Sequence, residues 1–155
     1  MKVDFVEPFV RGACSVLERI LGSPTALGQL SLLGMTYSVG NVNVAARVSG
    51  SLRGEVVYSM SSLTAQKFAD LTVGGGARGF GPLTGSALAR LGDMIGQETE
   101  RLLSEMGQPC DVGSPIVLQG INVEFSAVTP ALAVPIETDA GQVKVSVAVR
   151  DGGQA

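Results

Sequence analysis

A polar stripe runs along the longest helix that the sequence predicts. From about Thr84 to Met106, the residues Ser86, Arg90, Asp93, Gln97, Glu100 and Ser104 share one face, opposite an apolar stripe of Leu88, Leu91, Ile95, Leu102 and Met106. Asp93 and Gln97 stand four apart, so a carboxylate and an amide lie on one side of the helix. The pairing matters because histidine is absent from the chain. No His-based triad, imidazole base or His-containing zinc site can form, so any chemistry rests on carboxylates, amides, hydroxyls or a borrowed metal. Other candidates have plainer roles. Ser49, Ser51, Ser59, Ser61 and Ser62 gather around a predicted hairpin, where without histidine they read as turn and cap residues. Lys67 and Lys144 are isolated, Glu137 and Asp139 flank a turn, and Met35, Met60, Met94 and Met106 read as core filler or interface. Residues 74 to 79 match G-x-G-x-x-G to the letter, but they follow a predicted helix, Pro82 blocks a helix directly behind them, and a Walker lysine is missing. They read as a flexible connector over 74–85.

The whole chain frames these residues. Its 155 residues suit a single domain, 1–155, with a real core. Hydrophobic residues make up 45% and charged ones only 16%, which excludes disorder. Eleven basic against fourteen acidic residues give net charge −3, so composition argues against nucleic acid as a partner. Cys14 and Cys110 read as reduced thiols that pack as small apolar groups. The start, Met1-Lys2-Val3-Asp4-Phe5, lacks the apolar run of a signal peptide. Residues Ile20 to Ala46 are free of charge, but their glycines, Pro24 and asparagines read as loop and strands instead of a spanning helix. The expectation is a soluble cytoplasmic protein, with no membrane contact.

Local patterns then set the elements that carry the stripe. Pro8 opens a first helix with Phe9, Ala13, Val16, Leu17 and Ile20 inward, and Gly22-Ser23-Pro24 stops it. A strand is expected around Leu30 to Val39, interrupted by Gly34. Alternation predicts Asn41–Ser49 and Glu55–Met60 as a hairpin around the turn Gly50 to Gly54. Ser61 or Ser62 caps a short helix through Leu63, Ala65, Phe68 and Leu71. Beyond the long helix come strands at Pro115–Leu118, Asn122–Val128, Leu132–Ile136 and Val143–Val149, with a turn at Asp139 to Gly141 and a frayed tail from Asp151. Gly92 and Gly96, one turn apart, predict close approach of another backbone to the long helix. This pattern predicts an α+β fold, an antiparallel-rich sheet with long helices packed on one face.

Several segments together carry a family resemblance. Glu7-Pro8-Phe9-Val10, Val48-Ser49-Gly50, Arg53-Gly54-Glu55-Val56-Val57-Tyr58-Ser59, Leu91-Gly92-Asp93-Met94-Ile95-Gly96, Ser114-Pro115 and the run Val134 to Val143 occur in an order and spacing that resembles CheX-type members of the CheC/CheX/FliY chemotaxis phosphatase family. The resemblance spans nearly the whole chain. It implies a CheX-like sheet flanked by long helices, a homodimer formed through strands, and a CheY-like response regulator as partner. The implied activity is removal of the phosphoryl group from the regulator's aspartate. The resemblance also implies no cofactor of the chain's own, because the partner supplies the aspartate and the divalent metal.

The family pattern on the long helix is an acid, two residues, an asparagine, then twenty-one residues and a proline. The proline falls at Pro115, which puts Asp93 at the asparagine position and Arg90 at the acid position. Both depart from the pattern in charge. Asp93 and Gln97 keep the chemistry in another form, since an acid and a glutamine at this spacing resemble the pair in the unrelated chemotaxis phosphatase CheZ. In that reading the acid meets a regulator lysine and the amide holds the water. Three functions follow as expectations: a response-regulator phosphatase using Asp93 and Gln97 beside Arg90, an inactive receiver-binding module, and a structural part of a flagellar-switch or signalling assembly.

Overall fold

The computed structural model describes residues 3–38, 40–73, 82–120, 123–127 and 129–152. Helix α1 (Glu7–Leu21) carries Pro8 in its first turn, where the missing N–H has no helical partner to lose, and it stops at Gly22 with φ 71°. The Gly22 N–H donates to the Glu18 carbonyl at 2.8 Å. The Thr25 hydroxyl and N–H donate to the Glu18 carboxylate at 2.7 and 3.0 Å, which holds the departing chain and draws the Glu18 pKa below its ordinary value. Short strands β1 (Ala26–Leu27), β2 (Ser31–Leu32) and β3 (Thr36–Ser38) follow. The strand expected over Leu30–Val39 is therefore two pieces with different partners, broken around Gly34; Val39 lies outside the described residues.

Strands β4 (Val42–Gly50) and β5 (Leu52–Met60) form the expected hairpin. Their mutual pairing ends at Val48↔Gly54, as the turn at Gly50 to Gly54 implies, but both arms stay extended past that point. The next segments are helix α2 (Ser62–Val73), helix α3 (Pro82–Glu105), β6 (Cys110–Val112), β7 (Ile116–Gln119), β8 (Glu124–Ser126), β9 (Leu132–Thr138) and β10 (Gly141–Asp151). Beyond the tip of the hairpin, Gly50 pairs with Cys110 of β6 and Leu52 with Asp151 of β10. Asp151 thus ends a paired strand and is not frayed, and the Gly152 N–H donates to the Ser51 carbonyl at 2.8 Å. Asn122 and Val128, expected at the ends of the strand around β8, fall outside the described residues. The strands β1 and β6 carry no alternation long enough to reveal them.

The main sheet has eight strands in the order β1-β9-β10-β5-β4-β6, with β2 also on β9 and β7 also on β4, and its pairings are antiparallel. Alternate residues Val42, Val44, Ala46 and Val48 of β4, and Val143, Val145, Val147 and Val149 of β10, meet Phe9, Val16, Leu17, Phe68, Leu88 and Ile95 from the helices in one core. Burying each of these large side chains contributes roughly 1.5–3 kcal/mol. The α+β layer with helices on one face stands. On the opposite face, a two-stranded ribbon of β3 and β8 buries Tyr37 together with Ala131 and Ala148.

Two local expectations are decided by geometry. Ser61 is the cap of α2: its Oγ accepts from the Thr64 N–H at 3.1 Å. Pro82, expected to block a helix, instead begins α3, so the connector read over 74–85 ends before it. The reason is that a first helical residue offers no N–H to the helix, and proline's fixed φ already suits it. Residues 74–81 lie outside the described residues. Cys110 is buried and Cys14 half-buried, and both are free thiols. Met60 is buried and Met94 packs on the core, whereas Met35 and Met106 are exposed. No described helix is long and apolar enough to cross a membrane.

Gly54 is the tightest test of the sheet. Its φ is 151°, and a Cβ there would strike the Ala148 carbonyl on the neighbouring strand. Gly54→Ala is expected to lower the unfolding free energy by at least about 2 kcal/mol, read as a lower urea midpoint. An unchanged midpoint would contradict this packing.

Candidate functional site

The 24 residues of α3 span about 36 Å, and one side of the helix is committed to the core. Leu88, Leu91, Ile95, Leu102 and Leu103 are buried there, while Met106 falls just past the helix and stays 46% exposed. Glycines set how closely the helix lies on the edge of the sheet. A Cβ on Gly92 would come within 2.8 Å of Val44 Cγ1 and 3.0 Å of Pro115 Cγ, and one on Gly96 within 3.1 Å of Val112 Cγ1. The close approach expected at Gly92 and Gly96 is therefore real, but the neighbours are side chains of the sheet edge and not another backbone. Across the helix, Gly12 of α1 similarly faces Thr99, whose Oγ1 donates to the Ile95 carbonyl at 2.8 Å.

Polar residues on α3 divide into braces and free groups. The Val112 N–H donates to the Glu100 carboxylate at 2.7 Å, so this acid ties β6 to the helix. Arg101 donates from Nε to Glu98 at 3.2 Å and from its terminal nitrogen to Glu105. The hydrogen bond from Arg101 lowers the Glu98 pKa, and Glu98 in turn raises that of Arg101. Sequence reading missed this pairing, although the i−3 and i+4 spacing around Arg101 was the available signal.

The free groups among the described residues include the exposed Ser86 and Ser104 and the three functional candidates Arg90, Asp93 and Gln97. All three are exposed, and none has a hydrogen bond or ion pair among the described residues. Their spacing of three and four residues brings them onto one side of α3, away from the sheet. Pro115 sits beneath the same turn, against Gly92, next in sequence to Asp93. The structure therefore joins the helix stripe and the distant proline in one place, which sequence spacing alone does not require. An exposed carboxylate, amide and guanidinium of this kind can meet a charged partner and orient water, but among the described residues no group of three His, Cys, Asp or Glu side chains could hold a metal. Glu137 instead accepts from Gln142 Nε2 at 2.7 Å, and the Thr138 hydroxyl donates to the Gly141 carbonyl at 2.6 Å across the turn.

No family model matches the chain. The chain is similar over its full length to the CheY-P phosphatase CheX of Thermotoga maritima, at 23% identity over 155 residues, 99% of this chain and all of that protein. A crystal structure of a chemotaxis protein CheX from Desulfovibrio desulfuricans superposes with a TM-score of 0.85 at 22% identity, covering 96% of this chain and 100% of the other. The fold is CheX-like. The CheX of a CheX–CheY–BeF3–Mg complex from Borrelia burgdorferi also shares the fold, with a TM-score of 0.77 at 24% identity, covering 97% of this chain and 100% of that one.

In this CheX-like frame, the seat of α3 depends on the small size of residue 92. Gly92→Val is expected to cost roughly 1–3 kcal/mol and to push α3 off Pro115 and Val44. Faster amide hydrogen exchange along α3 and at β7 would report the displacement, and protection equal to wild type would contradict it.

Proposed function

We propose that this protein docks the exposed face of α3 on the receiver domain of a CheY-like response regulator and acts there on its phospho-aspartate. The observation that carries the reading is the trio Arg90, Asp93 and Gln97, exposed and without hydrogen-bond or ion-pair partners among the described residues, on a helix whose other side is buried in the core. The full-length likeness to a CheY-P phosphatase and to a CheX bound to CheY supports it.

Charge decides the roles. An ionised carboxylate 4 Å from a phosphoryl oxygen meets a repulsion of about 4 kcal/mol near a protein surface. Asp93 is therefore the group for a cation, a regulator lysine, and the neutral amide of Gln97 is the group for water. With its oxygen and N–H groups Gln97 would hold that water in line with the acyl phosphate. Water adds to phosphorus, the bond from phosphorus to the aspartyl oxygen breaks, and phosphate and a free carboxylate leave. The metal in this reaction belongs to the regulator.

A second reading has its own support. Arg90 and Asp93 occupy the positions where the resemblance places an acid and an asparagine, and both substitutions reverse or add charge. They favour a receiver-binding module that does not shorten the life of the phosphoryl group. The strand-paired homodimer belongs to either reading. Leu27 and Leu32, 59% and 72% exposed, lie at one edge of the sheet, and Ile116, 58% exposed, lies at the other.

A dephosphorylation assay on a phosphorylated CheY-like receiver separates the readings. The phosphatase reading expects substoichiometric acceleration by the wild type and a loss of about tenfold to a hundredfold in Gln97→Ala. An unchanged rate in that variant rejects the Asp93–Gln97 pair. Activity that arises only in the double variant Arg90→Glu, Asp93→Asn would place the site on this turn and assign the wild type to binding. Indifference to phosphorylation, with growth of larger complexes, would point to an assembly role.

A further inference from the structure

A second site lies on the sheet face opposite the helices. There β4, β5, β7, β8 and β10 border a groove of about 600 Å³, within the range of small-molecule sites. Ala45, Ala148 and Ile116 give it an apolar floor and edge, and Phe125 forms a wall, its ring stacked on Tyr37 with centroids 6.0 Å apart and planes 19° from parallel. Three arginines, Arg47, Arg53 and Arg150, also line it. Arg53 and Arg150 are directly opposed in the β5–β10 register. Like charges opposed across strands destabilise a sheet, and none of these arginines forms an ion pair among the described residues. The acid among the described lining residues is Glu55, which is opposed to Arg47 in the β4–β5 register and partly offsets its charge. Its Oε2 already accepts from the Tyr37 hydroxyl at 3.2 Å, leaving Arg53 and Arg150 as the uncompensated pair. A chain of net charge −3 therefore concentrates excess positive charge in one apolar-floored groove.

We propose that this groove binds a nucleotide. Arg53 and Arg150 take the phosphates, where planar guanidinium groups bind in bidentate fashion, and Arg47 adds charge at the same end of β4. The base lies against Phe125 and the apolar floor, and the second oxygen of Glu55 accepts from an amino or hydroxyl group of the ligand. A bare anion would use the arginines and leave the aromatic wall unused; a planar ring joined to phosphates uses both. The groove and the exposed face of α3 lie on opposite sides of the sheet, so the proposal stands apart from receiver docking.

Calorimetric titration of the full chain with ATP, GTP and inorganic pyrophosphate tests it. At least one nucleotide is expected to bind saturably and more tightly than pyrophosphate. Arg53→Ala and Arg150→Ala should each weaken it about tenfold or more, and Phe125→Leu should weaken the nucleotide but not pyrophosphate. Circular dichroism confirms that each variant is folded, and Arg53→Gln and Arg150→Gln replace any alanine variant that is not. The proposal fails if neither nucleotide saturates, if the folded arginine variants bind as wild type does, or if pyrophosphate binds as tightly as the nucleotides.

Discussion

Everything in this structure depends on how closely α3 can lie against its neighbours. Three glycines, Gly12, Gly92 and Gly96, remove the side chains that would otherwise hold the helices and the sheet edge apart. The cost is real, because glycine weakens a helix interior by up to about 1 kcal/mol per residue. It is offset by the burial of Leu88, Leu91, Ile95 and Leu103 on the same helix. With that side of α3 committed to packing, the opposite side is left to Arg90, Asp93 and Gln97. The exposed polar face of this helix is thus the complement of its packing.

The sheet divides the molecule in a similar way. Its helix-side face is almost continuously aliphatic, and the pairing of β10 between β5 and β9 places the longest strand near the centre of the core. The other face mixes small residues with arginines and is only partly covered by β3 and β8. Two surfaces of different chemistry therefore stand on opposite sides of one rigid layer. One is a helix face with an acid, an amide and a cation, and the other is a cationic groove with an aromatic wall.

The elements legible in the sequence are those with a strong local cause. The stop of α1 at Gly22 follows from a left-handed residue that glycine adopts readily, and the hairpin from alternation in β4 and β5. The stripe of Arg90, Asp93 and Gln97 follows from helical periodicity, and the structure leaves those residues outward as that periodicity requires. Where local signals are weak or ambiguous, the sequence misleads. Pro82 looked like a break, yet proline is equally suited to a first turn. Segments β1 and β6 are two and three residues long, too short for any period to show.

By itself, then, the sequence determined the α+β class, the principal helices, the exclusion of histidine chemistry and the polar face of one helix, because periodicity, capping and composition are local properties. Only the tertiary structure decided that Pro115 sits beneath the turn bearing Asp93, that Glu100 is a brace, and that Arg47, Arg53 and Arg150 line one groove. Those facts depend on strand order and register. Arg53 and Arg150 are almost a hundred positions apart along the chain and directly opposed in the sheet, and that proximity is set by the β5–β10 pairing and by no local pattern.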